Sequence, residues 1–138
     1  MAGNTAPIYS KVADWQWIGA ITTANTSKDL TAGTSYLVFT SDATNGGYVK
    51  KLRIRHIGTN VATVMRVFIN NGSATATATN NILFDEIGIA LNTVSETSAS
   101  SIYELPINEA LPPGYKIYVT IGTAVAAGLA VTAVGGKY

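Results

Sequence analysis

Apolar and polar residues alternate along most of this 138-residue chain, in stretches that are short. Alternation with a period of two is typical of β-strands, because successive side chains point to opposite faces of a sheet. Clusters of Gly, Asn, Asp and Pro separate the stretches and indicate turns. The pattern predicts eight strands, at residues 14–19, 35–40, 48–57, 62–70, 81–90, 101–107, 115–121 and 129–134. No segment is expected to hold a helix longer than two turns.

Eight short strands at turn-punctuated spacing predict an all-β fold, an antiparallel β-sandwich with two sheets over one core. A jelly roll is the natural eight-strand solution, and an immunoglobulin-like topology stays open. We expect residues 12–138 to form this single domain. Residues 1–11 are small and polar and contain Pro7, so we interpret them as an extended N-terminal arm. Its expected anchors on a neighbouring subunit are Ile8 and Tyr9.

Individual stretches carry finer predictions. The stretch at residues 115–121 alternates most regularly, with Thr120 expected outward. Its inward residues are expected to be Ile117, Val119 and Ile121. The turn at residues 58–60 is expected to return the next strand antiparallel to the one before it. Trp15 and Trp17 share one face of the first strand, and large aromatic side chains usually serve core or sheet-edge packing.

Composition points to an interface. Charged residues make up 12% of the chain, against roughly 25% in an average soluble domain, and the mean hydropathy is +0.24. No apolar run reaches the roughly 18 residues that cross a bilayer, so we expect no membrane partner. The surplus apolar surface predicts a homo-oligomer, for which we expect a trimer. A net charge of +1 argues against a nucleic-acid partner. The first residues do not match a secretory signal.

Candidate chemistry is sparse. Cysteine is absent, which excludes disulfides and thiolate ligands. The one histidine, His56, shares a strand face with Leu52 and Ile54, so we interpret it as a packed or interface residue. Asp85 and Glu86 are adjacent and point to opposite faces of a strand, so they do not form a glycosidase pair. We therefore expect no enzyme, cofactor, metal or small-molecule substrate.

Basic residues concentrate in one region. Five of the nine lysines and arginines lie between Lys50 and Arg66. Lys51, Arg53 and Arg55 alternate with apolar residues, which places them on one face of a strand. One interpretation is a docking face for an acidic partner surface. The other is a solvated outer face that discourages edge pairing.

Four phrases carry a resemblance to a known family. They are TAPIYSKVADWQWIG at residues 5–19, GTNVATVMRVFINNG at 58–72, LFDEI at 83–87 and LPPGYKIYVTIGTAVAAG at 111–128. The chain resembles small structural proteins of tailed bacteriophages, of the head-decoration or cement type. The resemblance implies a compact β-domain, often trimeric, that is seated on the major capsid protein of the phage head and assembled in the host cytoplasm. It implies no catalytic residues.

Two other functions stay open. A phage tail or fibre component would share the β-rich composition. A carbohydrate-binding module usually shows a row of exposed aromatic residues near acidic or amide groups. Trp15, Trp17, Tyr103 and Tyr118 could supply such a row, with Asp14 as the nearest acid.

Overall fold

The computed structural model describes residues 10–138, so the predicted arm anchors Ile8 and Tyr9 lie outside the described residues. Within this range there are nine strands and one short 3₁₀ turn at Ala78–Asn80. The strands are β1 (Val12–Ala13), β2 (Gln16–Ile21), β3 (Tyr36–Thr40), β4 (Gly47–His56), β5 (Thr63–Asn70), β6 (Asn81–Ile89), β7 (Tyr103–Leu111), β8 (Lys116–Ile121) and β9 (Leu129–Lys137). No helix in the described part of the chain is long and apolar enough to cross a membrane.

The strands form two antiparallel sheets. A five-stranded sheet has the order β1-β9-β4-β7, with β2 also paired to β9, and a four-stranded sheet has the order β3-β8-β5-β6. The chain doubles back between β5 and β6, so that β5 pairs with β6, β4 with β7, β3 with β8 and β2 with β9. Rolling this double ribbon brings β4 against β9 and β5 against β8. The result is the predicted β-sandwich, in the jelly-roll and not the immunoglobulin-like arrangement.

The predicted strands are found, with changes in bounds and pairing. β2 begins at Gln16 and not at Asp14, and β9 runs on to Lys137 where the prediction stopped at Val134. The short β1 was not predicted, and β7 runs on to Leu111 where the prediction stopped at Ile107. The turn at residues 57–62 also reverses the chain without making a hairpin, because β4 and β5 lie in different sheets. The pattern of polarity shows which segments form strands, but it does not show their bounds or which strand becomes the hydrogen-bonded neighbour.

The core lies between the two sheets and contains the inward residues of both. The predicted Ile117, Val119 and Ile121 are fully buried there. From the five-stranded sheet, Leu52 and Ile54 face them and are also fully buried. Burying one such side chain is worth about 1.5–3 kcal/mol, so this central layer supplies much of the driving force for folding.

The outward face of the four-stranded sheet is covered in part, and the covered part includes Thr120, so the expectation of an exposed Thr120 is wrong. Thr120 is fully buried. Leu30 and Phe68 are buried too, although neither belongs to the main core cluster. The β2–β3 connection crosses this face, and the Asn81 side-chain amide donates a hydrogen bond to the Asp29 carbonyl oxygen at 2.9 Å.

The two tryptophans are on the outside, so the expectation that they pack is also wrong. Trp15 is 58% exposed and Trp17 is 72% exposed. Gln16 points the other way, toward β3: its Nε2 donates to the Thr40 carbonyl at 2.8 Å, and its Oε1 accepts from the Thr40 amide at 2.9 Å. This amide pair closes the edge of the sandwich between the sheets. The predicted alternation of Trp15, Gln16 and Trp17 is found, but the two tryptophans occupy the solvent face and the smaller Gln16 faces the other sheet.

Candidate functional site

The outer face of the five-stranded sheet carries the basic residues. Strand β4 lies between β9 and β7, and its register places Arg53 opposite Thr132 on one side and Glu104 on the other. Trp17 lies opposite Thr132 on the far side of β9. Residues directly opposite in an antiparallel pair share a face. Trp17, Thr132, Arg53 and Glu104 therefore form one cross-strand row on the outside of the sheet.

A bulge adds a further cation to this face. Val49 lies opposite Gly135 and Lys51 opposite Val134, which leaves Lys50 as an extra residue in β4. Without the bulge, Lys50 and Lys51 would point to opposite faces; with it, both line the same outer groove. A side chain at Gly135 would overlap the Tyr48 carbonyl oxygen, so the close approach of β9 beside the bulge requires glycine.

The bulge and the connection between β1 and β2, which carries Trp15, flank a groove on the outer face. It has a volume of about 320 Å³ and is lined by Trp15, Lys50, Lys51, Arg53, Thr132 and Val134. A second groove of about 250 Å³ lies on the other side of the two lysines, and reaches Glu104, Pro106 and Asn108. We name the first of these the Trp15 groove.

The cations of this face differ in their partners. Lys51 Nζ donates to Glu104 Oε1 at 2.9 Å, in a partly exposed ion pair. That hydrogen bond is the main reason why the pKa of the Glu104 carboxyl is lowered. Arg53 is exposed and forms no hydrogen bond or ion pair with any residue in the range 10–138. Lys50 and Arg53 are therefore the cations lining the Trp15 groove that have no partner among the described residues.

The predicted basic residues are only partly brought together. Lys51, Arg53 and Arg55 do lie on the outer side of β4, but Arg55 is half-buried beside Ala130 and does not line the Trp15 groove. Lys50 and Trp15 were missed as members of the same site. No pattern in the sequence indicates the bulge that turns Lys50 outward. The sequence does show Trp15 on one strand face, but the usual packing role of a tryptophan hides its place in the groove. That this face docks on an acidic protein surface stays a prediction.

His56 sits at the end of β4 as a packed residue, in line with its sequence interpretation. Its ring meets Tyr103 edge-on, with centroids 6.1 Å apart and planes at 74°. Its Nδ1 is 3.1 Å from the Asn60 side-chain nitrogen, which makes Nδ1 the acceptor and places the ring proton on Nε2. Nε2 is buried without a partner in the described part of the chain. Desolvation by burial is the main reason why the pKa of His56 is lowered.

Exposed apolar side chains lie at the end of the sandwich where β4 ends at His56. Five of them lie in the β4–β5 turn and the β6–β7 connection, and we name this set the apolar end: Ile57, Val61, Leu91, Val94 and Ile102. Leu91 is 71% exposed. Glu96 is the only charged residue in these two segments, residues 57–62 and 90–102.

Hydrogen bonds fasten the two segments to each other. Asn60 and Asn92 exchange backbone hydrogen bonds of 2.9 Å in each direction, and the Val94 amide donates to Thr59 Oγ1 at 3.0 Å. The buried Asn60 side chain adds a bond from Nδ2 to the Gly128 carbonyl at 2.8 Å and accepts from the Ala127 amide at 2.9 Å. The apolar end is therefore held as a fixed surface by polar contacts beneath it.

Acidic groups in the described residues do not form an evident catalytic or metal site. Asp85 and Glu86 lie opposite Val67 and Arg66, on different faces of β6 as expected. Glu86 accepts a hydrogen bond from Arg66 Nε at 2.8 Å. No group of three or more His, Cys, Asp or Glu residues within 10–138 is arranged to hold a metal ion.

Comparison with known proteins adds little about function. No protein-family model matches the chain, and no curated protein matches it. Among solved structures, a mutant VP2 protein of infectious bursal disease virus in derived T=1 particles has 16% identity and a TM-score of 0.35, covering 100% of this chain and 37% of that one. A chain in the structure of the Gx strain of the same virus has 13% identity and a TM-score of 0.34, covering 99% of this chain and 36% of that one. The chain spans little more than a third of the length of these viral proteins, and a likeness at these TM-scores carries none of their properties over to it.

Proposed function

We propose that this chain is a non-enzymatic structural subunit of a virion, of the decoration or cement type found on tailed-phage heads. The observation that carries the proposal is the apolar end: five large apolar side chains exposed on two loops that are pinned in place. Together with the family resemblance of the sequence, this surface supports a subunit that works by binding a larger shell.

The apolar end has the properties of a contact surface. It contains one charge in two segments, and exposed apolar surface concentrated at one end of a small domain is typical of a site of protein association. Burying one such side chain fully is worth about 1.5–3 kcal/mol. Several together offset the loss of translational and rotational freedom on association, which costs about 4–15 kcal/mol.

The rigid placement of the apolar end favours a static structural contact. Asn60 anchors its first loop to residues 127 and 128, and Asn92 anchors its second loop to the first. A preformed surface loses little entropy on binding. The proposed partner is the major capsid protein at the outer surface of the head, with the subunit itself present as a homotrimer.

The test is to find the chain on intact particles by electron cryo-microscopy and then to measure its copy number on particles for two variants. The double variant Leu91→Ser with Val94→Ser should reduce occupancy strongly. Trp17→Ser is the matched control, because Trp17 is 72% exposed on the five-stranded sheet, close to the 71% of Leu91. Both variants should melt like the unmodified chain, since all three side chains are exposed.

The outcomes separate the candidate functions. Density for the chain on the head, lost in the double variant alone, supports the proposal. Density in the tail or its fibres would replace it with the tail-component function. Particles that contain no copy of the chain would show that it is not a virion subunit.

A further inference from the structure

The Trp15 groove is built from groups that the shell contact at the apolar end does not use. It combines an exposed indole, a free guanidinium, two ammonium groups, a hydroxyl and an apolar floor, from Trp15, Arg53, Lys50, Lys51, Thr132 and Val134. We propose that this groove binds a pyranose sugar that carries a carboxylate, with the sugar ring on Trp15 and the carboxylate on Arg53.

The indole of Trp15 suits a sugar ring. Trp15 is 58% exposed, so its side chain is available to a ligand although an aromatic group of this size is normally buried. The face of the indole is electron-rich, and the C–H bonds on one side of a pyranose ring point partial positive charge at it. Val134 lies beside it in the groove and adds apolar contact.

The charge of the groove selects an acidic sugar. Three cations line it, against one nearby carboxylate, Glu104, which pairs with Lys51 at 2.9 Å and lies opposite Arg53 in the sheet. Arg53 keeps its five N–H donors free of other described residues, and a guanidinium pairs with a carboxylate through two parallel hydrogen bonds. Thr132, opposite Arg53 across the strands, offers a hydroxyl to the sugar's own hydroxyl groups.

The size of the groove favours one or two sugar rings over a longer ligand. Its 320 Å³ is at the lower end of the volumes of ligand pockets, which run from about 300 to 1,000 Å³. A single-stranded nucleic acid is disfavoured, because such binders follow the backbone with a continuous track of charge over about 4–16 nucleotides. Here three cations cluster at one groove, on a chain of net charge +1.

This assignment gives the basic face a ligand other than the acidic protein surface predicted from the sequence. The two can be told apart because they require different variants to fail. Shell binding through the apolar end should survive changes in the Trp15 groove, and sugar binding should survive changes in the apolar end. Failure of one therefore leaves the other standing.

The experiment is an NMR titration of the full chain with two acidic ligands and one neutral one. Sialyllactose presents a terminal sialic acid, digalacturonic acid presents hexuronic acid, and lactose lacks the carboxylate. We expect saturable shifts at groove residues with one or both acidic ligands and none with lactose. Which acidic ligand binds tells a sialylated receptor from a uronic-acid polymer.

Variants locate the site. Trp15→Ala and Arg53→Gln should each weaken binding at least about tenfold, equivalent to about 1.4 kcal/mol. Lys28→Gln is the control, because it removes a cation from the β2–β3 connection on the other side of the sandwich. Trp15 and Arg53 are exposed, so both variants should keep the melting temperature of the unmodified chain.

Four results would overturn the proposal. They are failure of both acidic sugars to bind saturably, equal binding of lactose, retained affinity in Trp15→Ala, and retained affinity in Arg53→Gln. A loss of particle occupancy in Arg53→Gln without any sugar binding would assign the face to the acidic protein partner.

Discussion

Thr120 lies directly opposite Arg66 where β8 pairs with β5, on the outer face of the four-stranded sheet. Thr120 is nevertheless fully buried, and its Oγ1 has no hydrogen-bond partner within residues 10–138. The Arg66 side chain is only 13% exposed and is held by its 2.8 Å ion pair with Glu86. The outer face of this sheet is therefore packed around Thr120, and the Thr120 hydroxyl is buried there without a hydrogen-bond partner among the described residues.

Replacing that hydroxyl by a methyl group should stabilise the protein. A buried polar group without a partner costs about 1–3 kcal/mol, and valine keeps the shape of threonine. Thr120→Val should raise the free energy of unfolding by about 1 kcal/mol, measured by urea denaturation. Thr120→Ala should lower it, because the missing methyl group leaves a cavity. A destabilised Thr120→Val would mean that the hydroxyl has a partner, such as bound water.

Val119 provides the matched change on the opposite face of the same strand. It is fully buried in the main core, so Val119→Ala should lower the free energy of unfolding by about 1–3 kcal/mol. A difference in the free energy of unfolding between Thr120→Val and Thr120→Ala that equals the loss in Val119→Ala would show that the two faces of β8 are packed equally tightly.

The contrast between these neighbours shows what the sequence could and could not predict about the fold. Period-two alternation identified the strands and the inward face of β8, because side-chain direction in a strand is local. Whether the outward face of β8 is exposed to solvent depends on the β2–β3 connection. That connection crosses the face, although it is far from β8 in the sequence. The same limit applies to Trp15 and Trp17, whose shared face was clear while its exposure depended on Gln16 reaching Thr40 in the other sheet.

The candidate site was foreseeable to the same extent. Charge alternation placed Lys51 and Arg53 on one face correctly. The groove itself depends on the Lys50 bulge and on β9 lying between β2 and β4, and both are results of strand pairing over long distances. The apolar end was predicted only as an unlocated surplus of apolar surface. Its location became visible once the β4–β5 turn and the β6–β7 connection met at one end.

Asn60 should be among the most sensitive polar residues. Asn60→Ala removes bonds to the carbonyl of Gly128 and to the amides of Ala127 and Gly128, and leaves these groups without a partner. The free energy of unfolding should fall by about 2–4 kcal/mol in urea denaturation. Asn45→Ala is the control, because Asn45 is exposed and only its backbone amide is hydrogen-bonded to another described residue, so stability should change by less than about 0.5 kcal/mol. Equal losses of unfolding free energy in the two variants would show that Asn60 does not anchor the loop.

Stability should fall as the solution is acidified through the range where histidine titrates. The pKa of His56 is below its ordinary value of 6.5, mainly because burial penalises the charged ring, with the nearby Arg55 acting in the same direction. The unfolded chain therefore takes up the proton first, and protonation favours unfolding as pH drops below 6.5. The stability contributed by neutral His56 is complete above that value and is lost as pH falls through the lowered folded pKa.

The measurement is a series of urea midpoints from about pH 7.5 to about pH 5.5. The chain has a single histidine, so this window reports on His56 without interference from another imidazole. His56→Gln should flatten the profile. A wild-type midpoint that rises toward acid pH would mean that the folded state gains the proton instead.

The proposed trimer should form through the free edge of β6. This strand ends the four-stranded sheet, and Ile82 on it is 63% exposed. Sedimentation of the purified chain at micromolar concentration should show a trimer, and Ile82→Lys should shift it toward the monomer, because a lysine at a sheet edge opposes association. Leu91→Lys is the control at the apolar end and should leave the trimer intact. A chain that stays monomeric even at high concentration would contradict the prediction.

Removal of residues 1–10 should leave the fold intact and weaken assembly. The first backbone hydrogen bond of the described sheet region is donated by the Lys11 amide to the Lys137 carbonyl at 2.8 Å, so a truncation that stops before Lys11 keeps β1 and its pairing with β9. The truncated chain should therefore melt close to the full-length protein. Ile8 and Tyr9 are the predicted anchors on a neighbouring subunit. Binding of an extended segment costs about 1–2 kcal/mol per ordered backbone residue, a cost that a few buried side chains and added hydrogen bonds must offset. Ile8→Ser with Tyr9→Ser should then reproduce the loss of trimer or particle affinity without shortening the chain. A truncated chain that fails to fold would make the segment part of the domain, and one that assembles normally would leave the arm without an anchoring role.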